Sequence, residues 1–94
     1  MEKLTGLKKI KTAVFISGTG SNLNSIIKFS KTKKSPVSID LIISNTSEAK
    51  GLRYAYQFVI MNKIFNFKNI KIAEKKILKI LKKENIKFIC LAGF

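Results

Sequence analysis

Apolar residues fall along this chain in two rhythms. Residues 12–17, Thr-Ala-Val-Phe-Ile-Ser, form a short continuous apolar run of the kind a strand shows when a parallel sheet is covered on both faces. Past Gly18 and Gly20 the spacing changes. Leu23, Ile26 and Ile27 recur at i, i+3 and i+4, which predicts a helix with Asn24, Ser25 and Lys28 facing outward and Ser21 or Asn22 as its N-cap. A polar stretch at 31–36, closed by Pro36, predicts a loop, and the run Val-Ser-Ile-Asp-Leu-Ile-Ile-Ser at 37–44 predicts a second strand. A second helix is expected next, with Glu48 near its start, Gly51 weakening its first turn, and Leu52, Ala55, Tyr56 and Val59 as its apolar stripe.

Residues 63–67 predict a short third strand. From about 72 to 84 the helical period is clearest, with Ala73, Ile77, Ile80 and Leu81 on one face and Lys75, Lys79, Lys82 and Lys83 mostly on the other. Glu74 sits near the positive end of that helix and the lysines crowd the negative end, so Lys82 and Lys83 have a structural reading before any functional one. Residues 87–93 close the series as an apolar strand of the same buried kind as the first. The fold class expected is therefore α/β: a Rossmann-like open parallel sheet in the order β-α-β-α-β-α-β, with right-handed crossovers. At 94 residues the chain supports one domain, with 1–10 as a basic N-terminal extension and 11–94 as the domain itself.

Charge complicates this picture only slightly. The formal net charge is +14, which raises nucleic acid as a partner. Yet Arg53 is the sole arginine among nineteen basic residues, and lysine, isoleucine and asparagine, all encoded by AT-rich codons, are abundant together. Phosphate and base readers favour the planar fork of arginine, and no aromatic residues interleave with the basic runs here. A solvated, compositionally biased surface is the better reading, with no specific nucleic-acid partner. Cys90 is the single cysteine, so a disulfide framework and a Cys/His zinc site are both excluded, and no metal is expected. Within "FICLAG" it reads as a small core residue rather than a nucleophile. The apolar run after the basic start is cut short by Gly18, which argues against a signal or membrane segment and for a cytoplasmic protein with no membrane partner.

The stretch FISGTGSNLNSII, residues 15–27, carries most of the chemistry. It places glycines where a backbone must turn sharply and approach a ligand, with helix N–H groups just behind. A dinucleotide fingerprint requires glycine where Leu23 stands, and an acidic residue where the second strand instead ends in Ser44 and Asn45. A P-loop requires Gly-Lys-Ser/Thr after four spacers, and no such triplet follows either glycine. What survives is one phosphate monoester held by backbone amides with Ser21 and Asn22, or else an ordinary helix cap after a tight turn; spacing leaves both open.

The same stretch resembles the N-terminal signature of the phosphoribosylglycinamide formyltransferase family, which formylates glycinamide ribonucleotide in purine biosynthesis with 10-formyltetrahydrofolate as co-substrate. LIISN at 41–45, AKGLRYA at 49–55 and ICLAGF at 89–94 agree with it in order and spacing. The resemblance covers about residues 11–94. It implies that Gly20, Ser21 and Asn22 bind the phosphate of glycinamide ribonucleotide. It further implies that a basic residue before the third helix, Lys71 or next Lys68, contacts the formylfolate, and that Gly93 and Phe94 begin the wall of the pterin pocket. Family members continue from LAGF into Met-Arg, an Asn-x-His-Pro segment and a later aspartate, which supply the catalytic groups. This sequence contains no histidine, so no residue in it is assigned a catalytic role. Asp40, Glu48, Glu74 and Glu84 read as ordinary strand, surface or helix-end charges.

Three expectations follow. The first is an N-terminal formyltransferase half that does not catalyse alone. The second is a small basic module for phosphate or nucleic acid. The third is a remnant whose last strand, beside the first, is left as an unpaired apolar edge open to self-association.

Overall fold

Four apolar runs become four parallel strands: β1 (Ile10–Ile16), β2 (Val37–Ser44), β3 (Met61–Ile64) and β4 (Phe88–Ala92). Helices α1 (Ser21–Ser30), α2 (Leu52–Gln57) and α3 (Ile70–Lys83) alternate with them, and the sheet order is β3-β2-β1-β4. This is a computed structural model, and it describes residues 9–18 and 21–93. The open α/β sheet expected from the sequence is present.

The alternation of side chains along β1 and β2 decides which helix covers which face. Val14, Ile16, Ile39 and Ile42 point to one side, where Leu23 and Ile27 of α1 and Leu52 and Ala55 of α2 bury them. Cys90 packs half-buried against this cluster. Ala13, Phe15, Leu41 and Ile43 point to the other side, under Ile77 of α3. Each fully buried Leu or Ile contributes about 1.5–3 kcal/mol, so the two central strands supply much of the folding drive. Their register slips once, between Thr12 and Ala13, whose partners are Ile39 and Leu41. Asp40 is the extra residue, and its carboxylate accepts a hydrogen bond from the Ser38 hydroxyl. A bulge thus lets a strand buried almost throughout carry one acid.

Helix ends explain where the sequence expectations shift. Asn69 caps α3 by accepting the Ile72 N–H at 3.2 Å, so the helix starts at Ile70, two residues before the expected 72. The turn before it is set by Asn66, whose side chain accepts the Lys68 N–H at 2.8 Å. This turn ends β3 at Ile64, although Phe65 still donates its N–H to the Ser44 carbonyl at 2.9 Å. The expected strand at 63–67 therefore lies two to three residues too late.

The stripe expected on the second helix is cut short. Ile60 donates to the Ala55 carbonyl at 2.8 Å and Val59 to that of Tyr56 at 3.2 Å, a Schellman pair that ends α2 at Gln57. Val59 is left at φ 55° and 90% exposed, and Tyr56 is exposed, so neither joins the core. Glu48 lies outside the helix, in a turn where Thr46 accepts its N–H. Helix α3 ends in the same way, with Ile86 donating to Leu81 and Asn85 to Lys82, but there the left-handed residue is Asn85, which tolerates φ 58° better than a β-branched side chain. At the end of α1 the Lys9 ammonium donates to the Ser30 and Thr32 carbonyls, placing a cation on the negative pole of the helix.

Strand β4 stands beside β1 as expected, and is an apolar edge rather than a strand of the buried kind. It pairs with β1 on one side and has no strand on the other among the described residues. Phe88, Ile89 and Leu91 are exposed, Leu91 at 67%, and only Ala92 is buried. A run with the composition of a buried strand stands as an apolar edge.

Candidate functional site

The strand order places a switch between β1 and β4: the chain winds from β1 outward through β2 to β3, then crosses back to the far side of β1. Crevices at the carboxyl ends of strands open at such a point. Two hydrogen bonds hold its floor together. The Ser17 hydroxyl donates to the Gly93 carbonyl at 2.6 Å, tying the end of β1 to the end of β4. The Gly51 N–H donates to the Gly18 carbonyl at 3.2 Å, drawing the turn before α2 against the glycine turn. Beneath them Ile16 and Ser44 are fully buried, so the strand ends sit on a packed base.

Helix α1 begins at Ser21, earlier than a cap at Ser21 or Asn22 allows. Both residues therefore lie within the first turn, and the cap position falls outside the described residues. That turn contains no acidic side chain to compete for an anion at the positive helix pole. Asn22 is exposed. Gly20 and Phe94 lie outside the described residues, as does the side chain of Ser21. Gly93 is described and stands at φ 78°, a left-handed conformation that favours glycine, with open space where a Cβ would project.

Asn24 was expected to face outward. Instead it is half-buried, and its Oδ1 is enclosed with no hydrogen-bond partner among the described residues. The helical period marks Asn24 as polar but carries no sign of this enclosure, which depends on what packs over the start of α1.

Of the two basic candidates, the structure separates Lys68 from Lys71. Lys68 lies in the turn leaving β3 and lines a cavity of about 420 Å³ with Asn66, Asn69, Ile72 and Lys76. Lys71, in the first turn of α3, is exposed and does not line it. The cavity opens at the same carboxyl end of the sheet as Gly93, but at the opposite edge. Three strand spacings, about 14 Å, separate β3 from β4. Among the described residues no group of three or more His, Cys, Asp or Glu side chains is placed to hold a metal ion, and no helix is long and apolar enough to cross a membrane.

This arrangement can be set beside known proteins. The family described as Formyl transferase matches residues 10–94. The chain belongs to the formyl transferase family. Among curated formyl transferases it is similar to phosphoribosylglycinamide formyltransferase of Haemophilus influenzae, at 37% identity over 89% of this chain and 41% of that protein. It is also 38% identical to the human trifunctional purine biosynthetic protein adenosine-3, over 93% of this chain and 9% of that protein. The crystal structure of phosphoribosylglycinamide formyltransferase from Brucella melitensis superposes with a TM-score of 0.86 at 32% identity, over 93% of this chain and 47% of that one. The chain thus spans less than half the length of the formyl transferase structures it matches, and its four-stranded sheet corresponds to their N-terminal portion.

Proposed function

We propose that this chain is the nucleotide-binding half of a phosphoribosylglycinamide formyltransferase. In this reading it holds the phosphate of glycinamide ribonucleotide through the backbone of Gly20 and the side chains of Ser21 and Asn22. The observation that carries the reading is the placement of Asn22, exposed in the acid-free first turn of α1, directly after a glycine turn at the carboxyl end of β1. Helix N–H groups and a side-chain amide there offer donors to three phosphate oxygens, and the partial positive charge of the helix pole favours the dianion.

The co-substrate in this reading is 10-formyltetrahydrofolate, which supplies the formyl group. Gly93, followed by Phe94, begins the wall for its pterin; the bond from Ser17 fixes the Gly93 carbonyl and so the direction in which the chain leaves β4. Lys68 becomes the favoured partner for the folate carboxylates, ahead of Lys71, because it alone of the two lines the cavity beside β3. An ammonium group beside amide side chains of Asn66 and Asn69 is a suitable donor set for a carboxylate.

Formyl transfer requires stabilisation of a tetrahedral oxyanion and removal of a proton from the attacking amine. No histidine is present in these 94 residues. Asp40 is engaged by Ser38 within β2, Glu74 and Glu84 belong to α3 and its C-cap, and Glu48 sits exposed in the turn before α2. We assign none of them to the proton transfer, and the 94-residue chain alone is inactive in this reading. A cytoplasmic setting suits it.

The test combines calorimetry and turnover with purified chain, glycinamide ribonucleotide and 10-formyltetrahydrofolate. Binding of the ribonucleotide without formyl transfer is expected. Formyl transfer that Asn22→Ala abolishes overturns the inactive assignment, and absence of ribonucleotide binding overturns the phosphate site.

A further inference from the structure

Strand β3 is the other edge of the sheet. It pairs with β2 on one side and with no strand on the other among the described residues. Phe65, just past its end, donates its N–H to the Ser44 carbonyl of β2. Backbone groups alternate sides along a strand, so Met61 and Lys63 also turn theirs toward β2, while Asn62 and Ile64 turn theirs outward. The Asn62 side chain donates to the Ile60 carbonyl at 3.3 Å, so the open stretch of edge begins at Asn62 itself.

The two faces beside this edge differ. On the α3 side a groove of about 330 Å³ runs between strand and helix over an apolar floor of Met61, Phe65 and Ile80. Lys63 from β3 and Lys76, Lys79 and Lys83 from α3 rim it. The helix lysines are spaced by three and four residues and so stand in one row, and none of the four has an ion-pair partner among the described residues. The β3 residues on the opposite face are Asn62 and Ile64, both uncharged, with Ile64 44% exposed.

An extended segment laid along such an edge pairs with its free backbone groups and shows alternate side chains to the two faces. On one face they meet four unpaired ammonium groups, and on the other an exposed isoleucine. The complement is a strand with Asp or Glu at every second position and aliphatic residues between. Its carboxylates recur about every 7 Å, and the ammonium row advances by about 4.5 Å and then 6 Å, a mismatch that flexible lysine arms absorb. A second copy of this chain cannot supply that strand, because it has five acidic residues, no two of them two positions apart, and a net charge of +14. Nucleic acid suits the groove less well: Phe65 is the one aromatic side chain lining it among the described residues, and its rims hold no arginine.

We infer that the free edge of β3 and the lysine row of α3 form a docking site for an extended segment of a partner protein in which acidic and aliphatic residues alternate, added to the sheet as a strand beyond β3. This goes beyond the proposed function and requires neither a bound phosphate nor a folate. Its ion pairs are exposed and screened by salt, so the backbone pairing supplies the register and the lysines the selectivity.

The test is fluorescence anisotropy with the 94-residue chain at low salt and a labelled octapeptide of four Glu-Val repeats. The alternating peptide is expected to bind about tenfold more tightly than four glutamates followed by four valines, which carry the same charge without the alternation. Methylating the backbone nitrogens of one alternate set of its residues is expected to abolish binding, and methylating the other set to leave it intact, since only one set faces the edge. Lys76→Gln combined with Lys79→Gln is expected to weaken binding about tenfold, and Lys33→Gln combined with Lys34→Gln, in the loop after α1, to leave it unchanged. Asn62→Pro, which removes an outward N–H at a position where an edge strand tolerates proline, is expected to weaken binding without changing the circular dichroism spectrum. Equal affinity for the two peptides overturns the docking site, as does tolerance of both methylation patterns or an equal loss in both lysine double variants. Oligothymidylate that binds more tightly than the alternating peptide, and loses affinity in the same Lys76 and Lys79 variant, overturns it in favour of a nucleic-acid groove.

Discussion

Strands β1 and β4 lie side by side in register, and both are built from apolar residues, but they live in different environments. Val14, Ile16 and Ala13 of β1 are fully buried, whereas Phe88, Ile89 and Leu91 of β4, paired one for one with β1 residues, face solvent. The difference comes from neighbours. β1 has a strand on each side and helices on both faces, while β4 has β1 alone among the described residues. Apolar composition specifies that a strand is suited to burial; topology and the elements around it decide whether it is buried.

Substitutions can break or sharpen that contrast. The largest effect is expected in the sheet centre: Ile42→Ala, at a fully buried position of β2, should cost about 2–5 kcal/mol, read as a shift in the urea midpoint at unchanged slope. A cost below about 1 kcal/mol there would mean that the centre is as loosely packed as the edge. Next comes the strand end that faces the candidate site. Gly93→Ala forces a side chain into the left-handed region with nothing gained by packing, and should cost about 1–2 kcal/mol by the same titration.

The left-handed position at Val59 offers the opposite sign. Val59→Gly removes the strain of a β-branched residue at φ 55°, with almost no burial to lose, and should stabilise the chain by about 1 kcal/mol in thermal melts. The smallest stability effect is expected at β4, where Leu91→Lys should change stability by less than about 0.5 kcal/mol. Its effect on assembly should be plain. The wild-type chain is expected to elute progressively earlier in size-exclusion chromatography as concentration rises, through pairing at the β4 edge, and Leu91→Lys should hold it monomeric. A wild-type chain that stays monomeric at high concentration would show that the edge is silent.

The sequence carried the architecture well because each strand is a short apolar run and two helices have a clear period. β2 occupies the expected 37–44. The misses have local causes. Tyr56 and Val59 satisfy helical spacing, but a Schellman turn intervenes, and no glycine announces it. The start of α3 and the end of β3 are set by the side chains of Asn69 and Asn66, which act on backbone N–H groups and leave no periodic trace. At the candidate site, the passage from β1 into α1 was legible from its strand-glycine-helix setting. The distinction between Lys68 and Lys71 was not, since it depends on how the turn leaves β3. Nor was the enclosed Oδ1 of Asn24, which in sequence is one more polar residue on an outward face.

The proposed function requires a phosphate held at the start of α1, and the most direct measurement compares glycinamide ribonucleotide with its dephosphorylated riboside by calorimetry, on the wild-type chain and on Asn22→Ala. The ribonucleotide should bind at least about tenfold more tightly than the riboside, and Asn22→Ala should erase most of that difference, as loss of a hydrogen bond to a charged oxygen does. Equal affinities for the two compounds, or a phosphate preference that Asn22→Ala leaves untouched, would contradict it.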